Sequence, residues 1–257
     1  MSGEEQILGE FEPIGLEDIS GVRLMDRIDT KYTFHESWFP EVLKRISRDY
    51  FVLTVASMPY QEYHTVYFDT PDRKMYTAHH NGKLNRYKVR KRIYLNSDIA
   101  FVEVKFKDNK GKTSKRRILT RNFTPTLNDE EKNFLKEQIP FDPGTLTVSA
   151  GNSFKRITLV NRDKTERATL DFDIKLICDE GEQEMQNLIV AEIKRDKYAY
   201  SSKIARTLES MKITSSSMSK YCMAVAYLGN QIKQNRFKEQ LITFNHIRND
   251  LKSVANS

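Results

Sequence analysis

Four cationic side chains occupy every second position of the segment NRYKVRKRIY, residues 85–94: Arg86, Lys88, Arg90 and Arg92. Because successive side chains of an extended strand point to opposite sides, a strand here would align all four on one face. Such a row is either a solvated surface, where water and salt screen the repulsion, or a site that holds a strong anion. Charge runs are usually solvated, so this segment alone favours the first interpretation.

Other segments repeat the pattern of one polar, charged face and one aliphatic face, which is typical of strands with one buried side. A purely structural face rarely needs so many guanidinium and ammonium groups on strands, where lysine has a low intrinsic preference. The repetition therefore favours an anion site enclosed by several strands. The segments are RIDTKYTF, AFVEVKFK and RATLDFDIKL, the last with Arg167, Thr169, Asp171, Asp173 and Lys175 predicted on one face.

Helices between these strands could cover the aliphatic faces. The segment NDEEKNFLKEQI begins with Asn128 and has Glu131 three residues later, which is the pattern of a capping box. Helical patterns also occur over 35–47, with Ser37 as the predicted cap, and over 237–251. A sheet of about eight strands can close into a barrel wide enough for a ligand, with its charged faces lining a tunnel.

Composition indicates an anionic partner. The chain has 257 residues, of which 42 are basic and 35 acidic, for a formal charge of +7. Such a balance favours nucleotide, polyphosphate, nucleic acid or a membrane surface as partner. Two isolated cysteines, Cys178 and Cys222, favour a reducing compartment. The acidic N-terminus MSGEEQILGE lacks the basic and apolar pattern of a secretory signal, so the sequence predicts a cytoplasmic protein.

Familiar catalytic and phosphate-binding motifs are absent from the sequence. It contains no GxxxxGK[ST], GxGxxG or GxSxG segment, which favours a cage of side chains over a glycine-rich loop as the phosphate site. The histidines do not have the spacing of metal ligands, and the adjacent pair is predicted to lie in a turn. They are His35, His64, His79, His80 and His246.

Three carboxylates share strands with the cations, namely Glu192, Glu103 and Asp29. They would repel a polyanion unless a divalent cation bridged them to it. The pattern therefore predicts magnesium or manganese.

The ordered motifs RIDTKY, TVYFDT, VRKRIY, FVEVKFK, GKTSKRR, RATLDFDIKL, VAEIK and SKY resemble the VTC domain of polyphosphate polymerases, in the triphosphate tunnel metalloenzyme superfamily. The resemblance covers residues 23–228, leaving 1–22 as an irregular N-terminal segment and 229–257 as a helical tail. It implies an α+β fold with a closed antiparallel β-barrel and helices packed outside. It also implies metal-dependent transfer of the γ-phosphoryl group of ATP to a polyphosphate chain, with ATP and polyphosphate as partners and no nucleic acid. A membrane protein that exports the product is compatible with this reading.

The resemblance assigns roles residue by residue. Arg90, Arg92 and Lys105 would neutralise the transferred group, and Glu192 would hold the metal. Those three cations would also bind phosphate, together with Lys31, Lys115, Arg156, Arg167, Lys194 and Lys220, while Asp171 is a further candidate for the site.

Departures from the family pattern bear on two positions. Ser217 stands where some members have lysine, and Phe154 replaces the tyrosine expected ahead of Arg156. The paired-glutamate strand of hydrolytic superfamily members is absent, because Arg27, Asp29 and Lys31 occupy that place, which favours a polymerase over a triphosphatase.

Two alternatives stay open. One is a triphosphatase or nucleotide cyclase on the same barrel. The other is a nucleic-acid-binding module, because a basic sheet interleaved with aromatic residues also binds single strands. The acidic residues and the predicted position of most aromatics on the core-facing side argue against that module.

Overall fold

The computed structural model describes residues 3–19, 27–121, 123–199 and 201–249. The helices are α1 Gly3–Leu8, α2 Leu16–Ile19, α3 Phe39–Ile46, α4 Lys74–His80, α5 Asp129–Gln138, α6 Lys203–Ser210, α7 Lys220–Leu228 and α8 Lys238–Arg248. The strands are β1 Glu12–Ile14, β2 Arg27–His35, β3 Tyr50–Leu53, β4 Tyr60–Asp69, β5 Arg86–Tyr94, β6 Ile99–Lys107, β7 Thr113–Thr120, β8 Thr147–Asn161, β9 Glu166–Cys178, β10 Gly181–Met185 and β11 Leu188–Asp196.

One large sheet contains all these strands, in the main order β2-β11-β9-β8-β4-β5-β6-β7. Its pairings along this path are antiparallel, as predicted, and helices α3, α5 and α6 pack on its outer face. The predicted closed barrel is not confirmed, because no pairing joins β2 to β7 within the described residues.

The two edge strands, β2 and β7, each have a feature that disfavours their pairing with each other. β7 is exposed along most of its length and carries Lys115, Arg116 and Arg117, and charged side chains discourage pairing at an edge. The edge of β2 is already occupied near its middle, where the backbone amide of Ser216 donates to the carbonyl of Lys31 at 2.8 Å. The segment leading into α7 therefore covers part of the edge that a closed barrel would use.

Aliphatic side chains on the outer face form two clusters under the helices, as the alternating pattern predicts. Under α3 and α6, Val42 and Leu43 pack against Leu170 and Ala191 of the sheet. A second cluster under α5 joins Leu135 to outward residues of β4, β5 and β6, including Val66, Val89, Val102 and Val104.

A β-bulge corrects the predicted face of β9. The register between β8 and β9 shifts between Ser153 and Lys155, and Asp173 has a positive φ of 49°. Asp173 is consequently exposed and pairs with Lys155 at 3.1 Å, away from Asp171. A positive φ is uncommon for an aspartate and is not visible in an alternating pattern.

Because of the bulge, the C-terminal half of β9 contributes apolar side chains to the opposite, concave face. Ile174 and Leu176 join a third cluster there, against Tyr221 and Val225 of α7. The helix α7 therefore packs inside the curved sheet, and Phe244 of α8 is buried against the same cluster.

Three local expectations are corrected. The N-terminal segment predicted as irregular contains α1, β1 and α2 in its described part, with β1 pairing in parallel with β3. His79 and His80 end helix α4 and do not form a turn. Ser37 lies within a 3₁₀ turn, Glu36–Trp38, that is capped by His35, so it does not cap α3.

No helix in the described ranges is long and apolar enough to span a bilayer.

Helix α5 is fixed to the outer face by a buried ion pair. Lys91, on the opposite face of β5 from the cationic row, lies 2.8 Å from Glu131, and both side chains are 1% exposed. Glu131 also completes the predicted capping box with Asn128. The Lys91 ammonium donates a further bond to the carbonyl of Thr126 at 2.7 Å.

The substitution Lys91→Met should lower the free energy of unfolding by about 3 kcal/mol, because it leaves a buried carboxylate without its cation. Denaturant unfolding measures this, and the double variant Lys91→Met/Glu131→Gln should recover part of the loss. The matched control is Arg45→Met, since Arg45 and Glu41 form an exposed pair that contributes less than about 1 kcal/mol. Equal losses for the two single variants would contradict this account.

Candidate functional site

The cationic row of β5 is not a solvated surface. Arg90 is 9% exposed and Arg92 is 6% exposed, and both lie on the concave face of the sheet. Lys88, on the same face, donates to the hydroxyl of Ser219, the residue that caps α7, at 2.9 Å. The row is therefore enclosed between the sheet and the segment that enters α7.

Side chains from distant strands meet on this concave face. Lys105 of β6 and Glu192 of β11 are separated by β9, β8, β4 and β5, which in a flat sheet would place them about 24 Å apart. The pKa of Lys105 nevertheless lies well below its ordinary value because of repulsion by Arg90 and burial, with Glu192 acting in the opposite direction. The short segment before α7 bonds to Lys31 of β2 through Ser216 and to Lys88 of β5 through Ser219, so the sheet must curl until its two halves face each other.

Three carboxylates on this face each contact two cations. Glu192 pairs with Lys31 at 2.8 Å and with Lys194. Glu103, which is fully buried, pairs with Arg90 at 2.5 Å and with Lys115. Asp171 accepts bonds of 2.5 and 2.7 Å from the Arg156 guanidinium and pairs with the Lys220 ammonium. Glu192 and Glu103, two of the three carboxylates predicted to require a divalent cation, are thus already paired with side-chain cations, and the third, Asp29, pairs with Arg27 at 3.0 Å.

These contacts keep the carboxylates ionised. Burial alone would raise the pKa of Glu103 and Asp171, but their cationic partners lower each to about 2. The pKa of Glu192 is likewise well below its ordinary value, since Lys194 and Lys31 outweigh the effect of burial. All three groups therefore carry full negative charge at neutral pH.

Like charges nevertheless lie directly opposite one another across neighbouring strands. In the sheet register Lys88 faces Lys105, which in turn faces Lys115. On the other side of the concave face Arg167 is in register with Lys194. Directly opposed like charges destabilise a sheet. Burial and neighbouring cations also lower the pKa of Lys88 and of Arg167. The folded protein therefore stabilises the charged forms of these side chains less than a bound anion would.

Stacked aromatic rings separate some of the cations. Tyr63 and Phe154 stack at 5.0 Å, with the guanidinium groups of Arg92 and Arg156 each within 5.5 Å of both rings. The Lys220 ammonium lies 4.3 Å from the Phe154 ring. Phenylalanine at 154 thus provides an aromatic surface for the cations without a hydroxyl. Tyr63 and Phe154 are thus exceptions to the prediction that most aromatics lie on the core-facing side.

Every predicted phosphate ligand lies on the strands or helix that surround the concave face. Lys31 and Glu192 come from β2 and β11, Arg156 and Arg167 from β8 and β9, and Lys220 from the first turn of α7. Ser217, by contrast, accepts a bond from the side chain of Gln240 at 3.0 Å and is exposed. The sequence departure at 217 therefore removes no cation from the interior.

The concave face also contains residues that the sequence does not assign to the site. Lys88 was part of the alternating row, and its position two residues before Arg90 was a sufficient signal. Tyr63, Thr65 and Tyr67 alternate with outward residues of β4, so the same period-two pattern could have found them. Ser219 could be found only from the structure, because it reaches Lys88 across the concave face.

The donor set suits a metal that is shared with phosphate. In the ranges described, no three histidine, cysteine or carboxylate side chains are placed to hold a metal ion by themselves. Glu192 offers one carboxylate next to a cluster of phosphate-binding cations. Magnesium is commonly held by one or two carboxylates together with phosphate oxygens and water. Glu192 fits such an ion if the substrate supplies further ligands.

Comparison with known families gives one match over most of the chain. A family model described as the VTC domain matches residues 26–229. No curated protein matches the sequence significantly.

Several solved structures are similar in fold at low identity. A proposed adenylate cyclase from Vibrio parahaemolyticus is 13% identical with a TM-score of 0.45, covering 76% of this chain and 94% of that one. One from Bacillus halodurans is 11% identical, with a TM-score of 0.47 and the same coverage. A proposed adenylyl cyclase from Hippeastrum, described as having a dominant triphosphatase activity, is 14% identical with a TM-score of 0.46, covering 80% and 98%. Likeness at this level carries no conclusion about activity.

The pairing of Asp171 predicts a specific acid sensitivity. Its pKa falls from an ordinary 3.8 to about 2 on folding, so it stabilises the protein above about pH 4 and this contribution is lost as the pH falls towards 2. Asp171→Asn should therefore be less stable than the parent at neutral pH. The difference should shrink by on the order of 1–2 kcal/mol between about pH 6 and about pH 3 in urea unfolding.

Asp173→Asn is the control, because that carboxylate is 59% exposed. Its stability difference from the parent should change little over the same range. A constant difference for Asp171→Asn would contradict the assigned pairing.

Proposed function

Because the chain belongs to the VTC domain family, we propose that it transfers the γ-phosphoryl group of ATP to the end of a growing inorganic polyphosphate chain. The match covers most of the chain and includes every residue assigned to the site. The reaction would take place within the curved concave face described above.

The observation that carries this proposal is the register of Lys88, Lys105 and Lys115 across β5, β6 and β7. Of the three, only Lys115 contacts a carboxylate among the described residues. A protein gains nothing in stability from opposed lysines, but a chain of phosphates would be neutralised by all of them. A condensed phosphate is the ligand class that matches a row of this length and charge.

The proposed chemistry needs no nucleophilic side chain. An oxygen of the terminal phosphate of the acceptor attacks the γ-phosphorus, the bond from that phosphorus to the β-phosphate bridging oxygen breaks, and ADP leaves while the acceptor grows by one phosphate. Phosphoryl transfer of this kind depends on alignment and on neutralising charge on the equatorial oxygens. Arg90, Arg92 and Lys105 would neutralise that charge, and the burial of Arg90 and Arg92 supports this role.

Other residues would hold the two reactants in line. Lys31, Arg156 and Lys194 face the β5 row across the concave face, and Lys220 approaches from α7. A divalent cation held by Glu192 would withdraw further charge from the phosphate oxygens. Phosphate oxygens would compete with the carboxylates for the cations that now pair with them, so binding would exchange ion pairs within the lining.

The rival functions receive less support. On β2, Arg27 and Asp29 pair with each other at 3.0 Å, and Lys31 binds Glu192, so this strand offers no paired glutamates for a hydrolytic site. Nucleic-acid platforms expose aromatic rings for stacking. Tyr63, Tyr67 and Phe154 lie on the cationic face but are at most 7% exposed, so bases cannot stack on them.

Incubation of the protein with ATP and manganese or magnesium should yield phosphate chains, which electrophoretic sizing separates from orthophosphate. Orthophosphate as the sole product would support a triphosphatase, a cyclic nucleotide would support a cyclase, and an inert protein would contradict an enzyme of this class.

Lys105→Met should abolish most synthesis while leaving the folded protein as stable as before or more so. The substitution removes a cation that burial and Arg90 make costly, so its loss relieves repulsion in the absence of substrate. Removing one group that stabilises developing charge typically costs about 100-fold or more in rate. The control is Lys44→Met on the exposed face of α3, which should change neither quantity. Retained synthesis by Lys105→Met would remove Lys105 from the mechanism.

A further inference from the structure

Asn152 is a buried polar residue whose side-chain amide completes no hydrogen bond of ordinary geometry, although its proximity helps to lower the pKa of the neighbouring Tyr67 phenol. It lies in β8, in register with Thr65 of β4, and is 0% exposed. Neither its amide nitrogen nor its amide oxygen completes a hydrogen bond with the described residues. Buried polar atoms are nearly always paired in folded proteins, so an unpaired amide requires an explanation.

The register shows where this amide lies. Thr65 is in register with Asn152 on one side and with Arg92 on the other, and its hydroxyl accepts a bond from Arg92 Nε at 2.9 Å. Residues in register share a face of the sheet, so Asn152 belongs to the concave face with the cationic row. Its side chain lies beside the hydroxyl of Tyr67. Tyr67 as a whole is 3% exposed.

The surroundings are rich in hydrogen-bond donors. Tyr67 is in register with Arg90, and its hydroxyl lies within bonding reach of that guanidinium. Burial would raise the pKa of Tyr67, but Arg90, Arg92 and Lys88 lower it to about 8. Within the described residues Arg92 contacts no carboxylate. Donors at this corner of the site therefore outnumber acceptors, and phosphate oxygens would supply further acceptors.

We propose that Asn152 and Tyr67 form a neutral subsite that donates hydrogen bonds to one phosphate group of a condensed phosphate held by Arg90 and Arg92. The inference rests on the proposed function in one respect only, namely that this face binds condensed phosphate. The charged row attracts phosphate anywhere along its length. The amide and the phenol donate hydrogen bonds only at fixed positions, so the subsite would determine where one phosphate group lies. Asn152 and Tyr67 are thus assigned a part in placing the phosphate chain.

A structural role for Asn152 predicts the opposite response to substitution. If the amide supported the fold, Asn152→Leu, which is close to it in size, would lower the melting temperature. Since the amide is unpaired, the same change should leave the melting temperature of the free protein unchanged or raise it. Weakened phosphate binding together with undiminished stability is therefore the signature of a ligand contact.

The test is calorimetric titration of inorganic tripolyphosphate into the parent, Asn152→Leu and Tyr67→Phe. Each variant should bind about 3- to 10-fold more weakly, the effect expected for loss of one hydrogen bond. The chain contains a matched control pair, because the hydroxyl of Tyr227 donates to the Asn245 side chain at 2.7 Å on α7 and α8. Tyr227→Phe and Asn245→Leu should bind tripolyphosphate like the parent.

Parent-like binding by both Asn152→Leu and Tyr67→Phe would overturn the subsite. If Asn152→Leu fails to fold, Tyr67→Phe decides, because it removes a single hydroxyl. The titration involves no turnover, so it is independent of the polymerase assay. A parent that binds tripolyphosphate but makes no polymer would contradict the polymerase and leave the subsite standing, and normal binding by the variants of an active polymerase would contradict the subsite alone.

Discussion

The neutralisation of Glu103, Asp171 and Glu192 by two cations each is the interaction on which the site depends. A sheet that turned only lysine and arginine inward would face repulsion and the cost of removing water from every charge. The carboxylates lower that cost at three places around the concave face. Because each is shared by two cations, the lining still keeps a net positive charge, and a fold with this interior can form before any phosphate is present.

Enclosure comes from curvature and from α7, and in the part of the chain that the structure describes the hydrogen-bonded ladder does not close. The sheet curls until the segment that leads to α7 reaches both the edge of β2 and the Lys88 ammonium of β5. Capped by Ser219, α7 brings Lys220 to Asp171 and covers the aromatic rings next to it. The cations that find no carboxylate are consequently held in a partly desolvated space, where a contact with phosphate is stronger than in water.

Period-two patterning predicted most of the strands and the inward row of β5, because one buried face is a local property of the sequence. The capping-box pattern of Asn128 and Glu131 correctly predicted the start of α5, because that cap is made by residues only three apart. The bulge at Asp173 could not be predicted, since it depends on how β9 pairs with β8. The failure of β2 to pair with β7 could not be predicted either, because the segment before α7, which is distant in sequence, covers part of the β2 edge. The contacts of Ser219 and Asn152 likewise arise only when separate strands and α7 come together.

The most direct measurement is a crystal structure of the protein soaked with tripolyphosphate. The account predicts a phosphate chain on the concave face, with its oxygens within hydrogen-bond distance of Arg90, Arg92 and Lys105 on one side and of cations from β8 or β11 on the other. Tripolyphosphate bound only at the exposed basic edge of β7, with the concave face unchanged, would contradict it.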